Sequence, residues 1–343
     1  MVCNLSNYEI DSSTVNSIKN GAIEILKHIK PDWNEDKLNF KIYTEGISNK
    51  LIGIWYENFN DQVLVRIYGE KTELFIDRNA EKNNIKLLHD MKCGPELFAV
   101  FKNGLSYSFV PGTPLDAKSV LNEEIWTAVA KHMSELHKIE VKMSEPLLFP
   151  KIRTFIDLLP SEFDEGKNRR IAPHGLNKLY FENEVNELEP ILTSLGCPIA
   201  FCHNDILLSN IIWNREEKSV SFIDFEYAAP NYQAYDIANH FNELPGVDID
   251  LDYDNLFPNI EFQRIWIRKY LSYFKEISLT DITEDEIEKW RKWVCKFTLA
   301  SHLLWGAWSL LQSCHSTIDF DFTAYSLTRI LEYRKRKKMY LEL

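Results

Sequence analysis

The sequence predicts an α+β fold with a small, sheet-rich N-terminal region and a larger, mostly helical C-terminal region. Strand-like stretches joined by turns dominate the first 110 residues. The break PGTPLD at 111–116 separates them from stretches with helical hydrophobic spacing. We therefore expect two domains, 1–110 and 111–343, with a hinge at this break, and a chain of 343 residues can build two lobes.

The N-terminal region is expected to hold one helix and an antiparallel sheet. Apolar residues at helical spacing predict the helix, namely Val15, Ile18, Ala22, Ile25, Leu26 and Ile29. Ser12 or Ser13 can cap it, and Pro31 stops it. Strand-like stretches predict a meander over 38–44, 51–57 and 62–69. A second helix over Asp77–Met91 and a hairpin over 98–110 complete this region.

The C-terminal region begins with a helix whose buried face is marked by Ile125, Val129, Met133 and Leu136. The polar stretch 161–178 is typical of a surface loop. Strands are predicted at 198–202, 211–213 and 220–224, and further helices near 284–314 and 322–338.

The three strands frame a motif with the spacing of a phosphoryl-transfer site. HNDILLSN (203–210) places Asp205 five residues before Asn210, and IDFEY (223–227) supplies Asp224. In such chemistry a carboxylate accepts the proton of a substrate hydroxyl, and an amide and a second carboxylate hold Mg²⁺. In protein kinases these residues occur in the sequence motifs H-R-D-x-x-x-x-N and D-F-G. Here Asn204 replaces the arginine, and Glu226, a further candidate Mg²⁺ ligand, replaces the glycine.

The segments FCHND, IDFEY and YDIANHFNE (235–243) resemble the choline/ethanolamine kinases. The resemblance implies a two-lobed, protein-kinase-like fold with a small antiparallel-sheet N-lobe and a helical C-lobe. It also implies ATP and Mg²⁺ as cofactors and a small amino alcohol as substrate. Several stretches are closer to the ethanolamine kinase branch, including VLVRIYGEKTEL (63–74) and NHFNELPGV (239–247). We therefore predict phosphorylation of ethanolamine to phosphoethanolamine, the first step of phospholipid headgroup synthesis, with choline kinase as the alternative.

Candidate ATP ligands lie in the N-terminal region. The loop 45–50 resembles the family's nucleotide loop, so Ser48 and Asn49 are expected near phosphate, although a plain β-turn is the alternative. Arg66, in the middle of an apolar strand, is expected to contact phosphate with Glu81 as its anchor; an arginine paired only with an acid is the other interpretation. The backbone from Ser108 to Val110 is expected to meet adenine.

Candidate headgroup ligands lie in the C-terminal region. Trp305 and Trp308 share a helix face, followed by Phe320 and Tyr325. This pattern is also typical of an aromatic core, but the resemblance assigns these positions to a pocket for a cationic headgroup, which aromatic rings attract. Acidic candidates are Glu243 and Asp248, which favour a primary ammonium. Behind the motif, His203, Asp236 and His240 are expected to brace the catalytic loop.

The bulk composition limits the classes of molecule that this protein is expected to bind, and it leaves two alternative functions open. A net charge of −12 argues against nucleic acid, and it either attracts a cationic substrate or only maintains solubility. Six cysteines without a C-x-x-C pair, no evident signal peptide and no stretch long enough to span a bilayer predict a cytoplasmic protein without stable membrane insertion. None of the nine histidines pairs with cysteine or acids at zinc spacing, so we predict no structural zinc. The resemblance also implies a homodimer as a candidate assembly, since relatives of that family often dimerise. The remaining rivals are an aminoglycoside-type phosphotransferase and a catalytically dead binding module.

Overall fold

The computed structural model describes residues 2–43, 49–69, 76–91, 93–142, 145–246, 251–316 and 318–343. The chain divides into two units, Met1–Thr113 and Pro114–Leu343. The sequence predicts a division after residue 110, within the same short connecting stretch. Across the residues that the structure describes, no helix combines the length and the apolar character needed to cross a membrane.

In the part of the chain that the structure describes, the first unit is a six-stranded sheet with two α-helices. Its elements are β1 Cys3–Leu5, α1 Val15–Ile29, β2 Asn39–Tyr43, β3 Asn49–Trp55, β4 Val63–Tyr68, α2 Arg78–Asp90, β5 Leu97–Phe101 and β6 Gly104–Ser108. The strand order is β1-β5-β6-β4-β3-β2. The predicted meander of β2, β3 and β4 and the β5–β6 hairpin are confirmed as antiparallel pairs. The sheet is mixed rather than wholly antiparallel because β1, which the sequence pattern did not predict, runs parallel to β5.

Strand β4 shows how alternation directs side chains to two faces of this sheet. Val63, Val65 and Ile67 join the core that α1 covers. Arg66 lies on the opposite face, where it reaches α2. The cap of α1 differs from the prediction, because the hydroxyl of Thr14, rather than Ser12 or Ser13, accepts the Ser17 N–H at 3.0 Å.

The second unit is mostly helical. Its helices are α3 Glu123–His137, α4 Leu148–Leu158, α5 Glu165–Ile171, α6 Lys178–Thr193, α7 Gln233–Glu243, α8 Tyr253–Leu256, α9 Ile260–Lys275, α10 Glu284–His315 and α11 Phe322–Leu341. The long helix α10 packs against α4, α6, α7, α9 and α11. The predicted buried face of α3 is confirmed. The predicted loop at 161–178 is wrong: α5 forms there and buries Ile171, and Leu176 is buried just beyond it.

Short strands carry the motif of the second unit. They are β8 Ile199–Cys202, β9 Ile211–Asn214, β10 Ser219–Phe222 and β11 Ala229–Tyr232, and they follow β7 Thr113–Pro114, which spans the boundary between the two units in the sequence. The predicted hairpin of β9 and β10 is confirmed, and its register pairs Ile211 with Phe222. Strand β8 pairs instead with β11. The motif residues therefore lie where two separate small sheets end.

Helices α10 and α11 approach each other closely at Gly306. A methyl group at this position would lie 2.8 Å from Cδ1 of Ile330, and the Ser326 hydroxyl donates to the Gly306 carbonyl at 2.8 Å. Glycine permits this approach because it has no Cβ. The contact draws the part of α10 that carries Trp305 against the part of α11 that carries Tyr325.

Candidate active site

The loop after β8 is held in an uncommon backbone conformation. Asn204 has φ of 69°, a left-handed value that asparagine tolerates better than most residues. Its side-chain amide donates to the Tyr227 carbonyl at 2.9 Å, and its amide oxygen accepts from Asn231 at 2.7 Å. At the position where protein kinases have arginine, this asparagine thus both adopts the backbone conformation of the turn and forms a hydrogen bond with the neighbouring strand.

Asp236, in the first turn of α7, holds this loop from behind. Its fully buried carboxylate accepts the backbone N–H groups of His203 and Asn204, both at 2.7 Å. Two charge-assisted hydrogen bonds to consecutive amides fix the direction in which the next residue, Asp205, leaves the loop.

His203 links the two halves of the motif. Its Nε2 donates to the Ile223 carbonyl at 2.9 Å, so its Nδ1 is the acceptor of the Asp205 N–H at 3.3 Å. Burial lowers the pKa of this histidine, so the neutral ring that this bonding requires is favoured. Burial also lowers the pKa of His240, to about 4, so that ring is neutral as well. Hydrogen bonds of the His203 ring tie the loop to the Ile223 carbonyl, whereas a bracing role of His240 stays a prediction.

Asn210 joins Asp205 to the segment before Asp224. Its amide nitrogen donates to the Asp205 carbonyl at 3.0 Å, and its own carbonyl accepts the Ile223 N–H at 3.0 Å. Asp224 follows with φ of 63°, a second left-handed residue of the motif. Residues 205, 210 and 224 are thus brought together, and the Asn210 amide oxygen is the atom that this side chain can offer to a cation.

Negative charge is concentrated around Asp205. Burial raises the pKa of its carboxyl well above the usual value, and the charges of Asp224, Glu243, Glu226 and Asp236 raise it further. Carboxylate and amide oxygens are the ligands that Mg²⁺ prefers. A bound cation would offset this repulsion, so the donor chemistry of Asn210, Asp224 and Glu226 fits a magnesium ion.

The four predicted headgroup residues belong to one aromatic cluster, which extends to Tyr227 and Phe322. Edge-to-face contacts join Trp305 to Trp308 with ring centroids 5.6 Å apart, and Phe320 to Tyr325 at 5.8 Å. Phe322 connects the two pairs, at 5.8 Å from Trp308 and 4.9 Å from Phe320. Trp308 and Phe320 are half-buried, whereas Trp305 and Tyr325 are buried.

Tyr227 joins this cluster to the acids. Its ring lies 5.4 Å from that of Trp305, and its backbone carbonyl accepts the Asn204 side-chain amide at 2.9 Å. Burial raises the pKa of Tyr227, and the charges of Glu226 and Asp205 raise it further. Tyr227 was not among the residues predicted from the sequence, although it lies within IDFEY, three residues after Asp224.

Behind the rings lies a buried polar network that the sequence analysis also missed. Asn239 on α7 accepts the Trp305 indole N–H at 2.7 Å and the Ser301 hydroxyl at 2.9 Å. Arg329 on α11 donates to Ser301 and to the Tyr325 hydroxyl, each at 3.0 Å. This network fixes Trp305 and Tyr325 at the rear of the cluster. In the sequence, the arginine four residues after Tyr325 in a helical stretch is a signal that could have indicated this network.

Glu243 is placed within the same network. One carboxylate oxygen forms an ion pair with Arg329, and both side chains are buried. The other oxygen, Oε2, has no hydrogen-bond partner among the residues that the structure describes. Burial raises the pKa of Glu243, while the neighbouring guanidinium opposes the shift. Asp248, the second acidic candidate, lies outside the described residues.

The candidate nucleotide ligands belong to the first unit. Arg66 pairs with Glu81 at 3.1 Å, and the other Glu81 oxygen pairs with Arg78 at 2.9 Å. Ser48 lies outside the described residues, whereas the Asn49 side chain accepts the Gly69 N–H at 3.4 Å.

The segment expected to meet adenine is partly used by the sheet itself. The Ser108 N–H donates to the Glu96 carbonyl at 2.9 Å, and the Phe109 N–H donates to the Gln62 carbonyl at 3.1 Å. Within 108–110 this leaves the Val110 backbone as the better candidate for a hydrogen bond with a base.

The first unit contains a large sheet, and the second is mostly helical and carries Asp205, Asn210 and Asp224 around the β9–β10 hairpin. This arrangement defines a protein-kinase-like fold. The chain belongs to the choline/ethanolamine kinase family, whose family model matches residues 40–334. Ethanolamine kinase 1 of Homo sapiens is 40% identical over 338 residues, which cover 96% of this chain and 74% of that protein.

Solved structures agree with this membership. A Plasmodium vivax ethanolamine kinase superimposes with a TM-score of 0.82 at 28% identity, covering 96% of this chain and 93% of its own. A Cryptosporidium parvum choline kinase superimposes with a TM-score of 0.76 at 25% identity, covering 94% of this chain and 96% of its own. The predicted fold class is therefore confirmed.

Proposed function

We propose that this protein transfers the γ-phosphoryl group of ATP to the hydroxyl of ethanolamine and so forms phosphoethanolamine. The observation that carries the proposal is the position of Tyr227, whose ring lies 5.4 Å from that of Trp305 and whose backbone carbonyl accepts the side-chain amide of Asn204, the residue before Asp205, at 2.9 Å. A set of phosphoryl-transfer residues thereby adjoins an aromatic cluster suited to an organic cation. The product would enter phospholipid headgroup synthesis.

Asp205 would act as the base for the substrate hydroxyl. As the ethanolamine oxygen bonds to the γ-phosphorus, its proton passes to Asp205, the bond from that phosphorus to the bridging oxygen of ADP breaks, and ADP leaves. A base must be ionised to accept this proton, and nearby positive charge favours the ionised carboxylate. The substrate ammonium would supply such a charge.

Asn210, Asp224 and Glu226 would hold Mg²⁺ through their side-chain oxygens. When bound, this ion neutralises phosphate charge and so eases the approach of the hydroxyl oxygen. His203 supports this set from the protein side, because its ring bonds both the Asp205 amide and the carbonyl that precedes Asp224.

In the first unit, Arg66 would contact the phosphates of ATP. Its pairing with Glu81 supports this role, because the carboxylate holds the guanidinium in one orientation within a buried site. Ser48 and Asn49 would supply further hydrogen bonds to phosphate, and Val110 would supply one to adenine.

The headgroup site would hold a primary ammonium between rings and acceptors. Trp305, Trp308, Phe320 and Tyr325 would contribute cation–π attraction, worth about 0.5–2 kcal/mol for a well-placed ring. An ammonium also carries three N–H donors, each of which needs an acceptor or water. Oε2 of Glu243, which has no hydrogen-bond partner within the described part of the chain, is one such acceptor, and it favours ethanolamine over choline, whose quaternary nitrogen donates no hydrogen bond. The name of the Homo sapiens relative supports the same preference.

The test is ADP release by the purified protein with ATP, Mg²⁺ and a panel of ethanolamine, choline and an aminoglycoside. We expect kcat/KM to be highest for ethanolamine. Asp205→Ala should abolish turnover while ATP binding is retained, and Asp157→Asn, a change at an exposed carboxylate, should leave turnover unchanged. A preference for choline would reassign the substrate, and absence of turnover with every alcohol would support a binding module instead.

Assembly and compartment form a separate part of the proposal. We expect a cytoplasmic enzyme, in keeping with its water-soluble substrates, and a homodimer is the assembly that family resemblance favours. Light scattering of the purified chain measures the mass directly, and a value near the chain mass of 40.3 kDa would contradict the dimer.

A further inference from the structure

A chain of buried side-chain hydrogen bonds leads from α9 to the carboxylate that holds the catalytic loop. Besides its two backbone amides, Asp236 contacts Nε2 of His137 on α3 at 3.1 Å. The other nitrogen of that ring, Nδ1, lies 2.6 Å from the Tyr270 hydroxyl on α9. The same hydroxyl is 2.5 Å from the side-chain amide nitrogen of Gln233 on α7. All four side chains are buried.

The chemistry of the side chains determines which group donates and which accepts in each of these hydrogen bonds. The Gln233 amide nitrogen can only donate, so the Tyr270 oxygen accepts from it. The Tyr270 O–H then donates to Nδ1 of His137, which leaves the ring proton on Nε2 to be donated to Asp236. A doubly protonated ring would leave the Tyr270 hydrogen without an acceptor. A neutral His137 with its proton on Nε2 therefore satisfies all the groups.

We propose that His137 and Tyr270 are positioning residues for phosphoryl transfer, an inference that rests on the proposed kinase function. Oδ2 of Asp236 accepts both from His137 and from the His203 N–H, so the histidine limits how that carboxylate can rotate. The orientation of the carboxylate sets the two loop amides and hence the direction of Asp205. Neither His137 nor Tyr270 needs to touch the substrate for this effect.

A buried metal site is the competing interpretation of the same atoms. Ligand atoms of His137, Cys202 and Asp236 lie within 4.8 Å of one another. A zinc ion would require a thiolate and a ring nitrogen that carries no proton. Cys202 instead lies 3.6 Å and 3.8 Å from the carbonyl oxygens of Asn231 and Tyr232, which suits an S–H donor, and burial raises the pKa of its thiol. The hydrogen-bond chain therefore accounts for these residues better than a metal does.

Tyr270→Phe removes one oxygen atom and keeps the ring stacked on Trp266, from which it lies 5.8 Å. We expect kcat with ethanolamine to fall about tenfold, the size of effect that one buried hydrogen bond can have on the barrier. KM for ATP and for ethanolamine should change less than about twofold. The matched control is Tyr253→Phe, because the buried hydroxyl of Tyr253 has no hydrogen-bond partner among the described residues.

His137 offers a pair of variants that separates positioning from packing. His137→Gln keeps an N–H donor for Asp236 and should retain more kcat than His137→Leu, which has none. A structural role alone would lower the stability of both variants and leave the kcat of the folded protein unchanged. Equal kcat in the two folded variants would therefore overturn the proposal.

Hydrogen exchange gives a readout that needs no activity. The amides of His203 and Asn204 should exchange about tenfold faster in Tyr270→Phe than in the wild type, whereas Tyr253→Phe should leave them unchanged. Unaltered exchange, or stoichiometric zinc in the purified wild-type protein, would overturn the positioning role. Absence of ethanolamine phosphorylation by the wild type, together with faster exchange in the variant, would instead contradict the proposed function alone.

Discussion

Replacing Asp205 by asparagine removes one negative charge from a buried group of carboxylates, and we expect a more stable but inactive protein. The charges that raise the pKa of Asp205, after burial itself, belong to Asp224, Glu243, Glu226 and Asp236. At an effective dielectric constant of about 20, two like charges about 8 Å apart repel by roughly 2 kcal/mol. Desolvation adds to this repulsion and partial protonation of the wild-type carboxyl limits it, so we expect a net gain of about 2 kcal/mol.

The gain should depend on pH in a definite direction. Because the folded-state pKa of Asp205 is raised, the native protein binds more protons than the unfolded chain at pH values above the ordinary carboxyl pKa of about 4. The contribution of this group to wild-type stability is therefore present below that pH and is lost as pH rises through the folded pKa. The asparagine variant has no such loss, so its advantage should widen with pH and then level off.

Thermal unfolding in buffer with EDTA measures this effect. For a cooperative unit of about 150–250 residues, 2 kcal/mol corresponds to a rise in Tm of about 4–8 °C. Added Mg²⁺ should stabilise the wild type more than the variant, since the cation offsets repulsion that the variant has already lost. Asp157→Asn controls for loss of a solvent-exposed charge. A Tm advantage that is absent, or that shrinks as pH rises, would refute the electrostatic reasoning.

Three further predictions concern other parts of the molecule. Glu81→Gln removes the partner of Arg66 and Arg78, so urea unfolding should show a loss of about 3 kcal/mol and KM for ATP should rise; an unchanged unfolding midpoint would contradict this. Trp305→Leu should raise KM for ethanolamine about tenfold with little change in KM for ATP, because one ring contact is lost; steady-state kinetics that show equal changes for both substrates would reject the assignment. Asn204→Ala should cost about 2–3 kcal/mol in chemical unfolding, because alanine loses the side-chain bonds and disfavours φ of 69°. Asn204→Gly, which tolerates that φ, should lose less.

Local patterns predicted most of the elements of this fold. Alternation in 62–69 and helical spacing from Ile125 to Leu136 are properties of neighbouring residues, and the corresponding strand and helix form where they were expected. The wrong predictions have two causes: contacts with distant segments, and neighbouring residues with similar side chains. Within the polar stretch 161–178, helix α5 forms over Glu165–Ile171 because Ile171, and Leu176 just beyond the helix, are buried in the second unit. The cap of α1 was misassigned because Ser12, Ser13 and Thr14 offer similar hydroxyls in sequence.

The pairing of strands that are distant in the chain could not be predicted from the sequence either. The sequence marks β8, β9 and β10 as strands, but only the β9–β10 hairpin follows from a short turn. The pairing of β8 with β11 and of β1 with β5 joins segments that are distant in the chain. Such pairing depends on which edges the folded core leaves open, and hydrophobic periodicity does not encode that.

What the sequence alone determined is the chemistry available to this protein: acids and an amide at 205, 210 and 224, and aromatic rings from 305 to 325. Residue type and spacing carry that information because the segments proposed to be catalytic are short and continuous. The tertiary structure decided which side chains meet. One oxygen of Glu243 pairs with Arg329 from a helix 86 positions away, Asn239 holds the Trp305 indole, and Asp236 holds the catalytic loop. The physical reason is that buried polar groups must find partners, and the packing of helices α7, α10 and α11 determines which partners lie within reach.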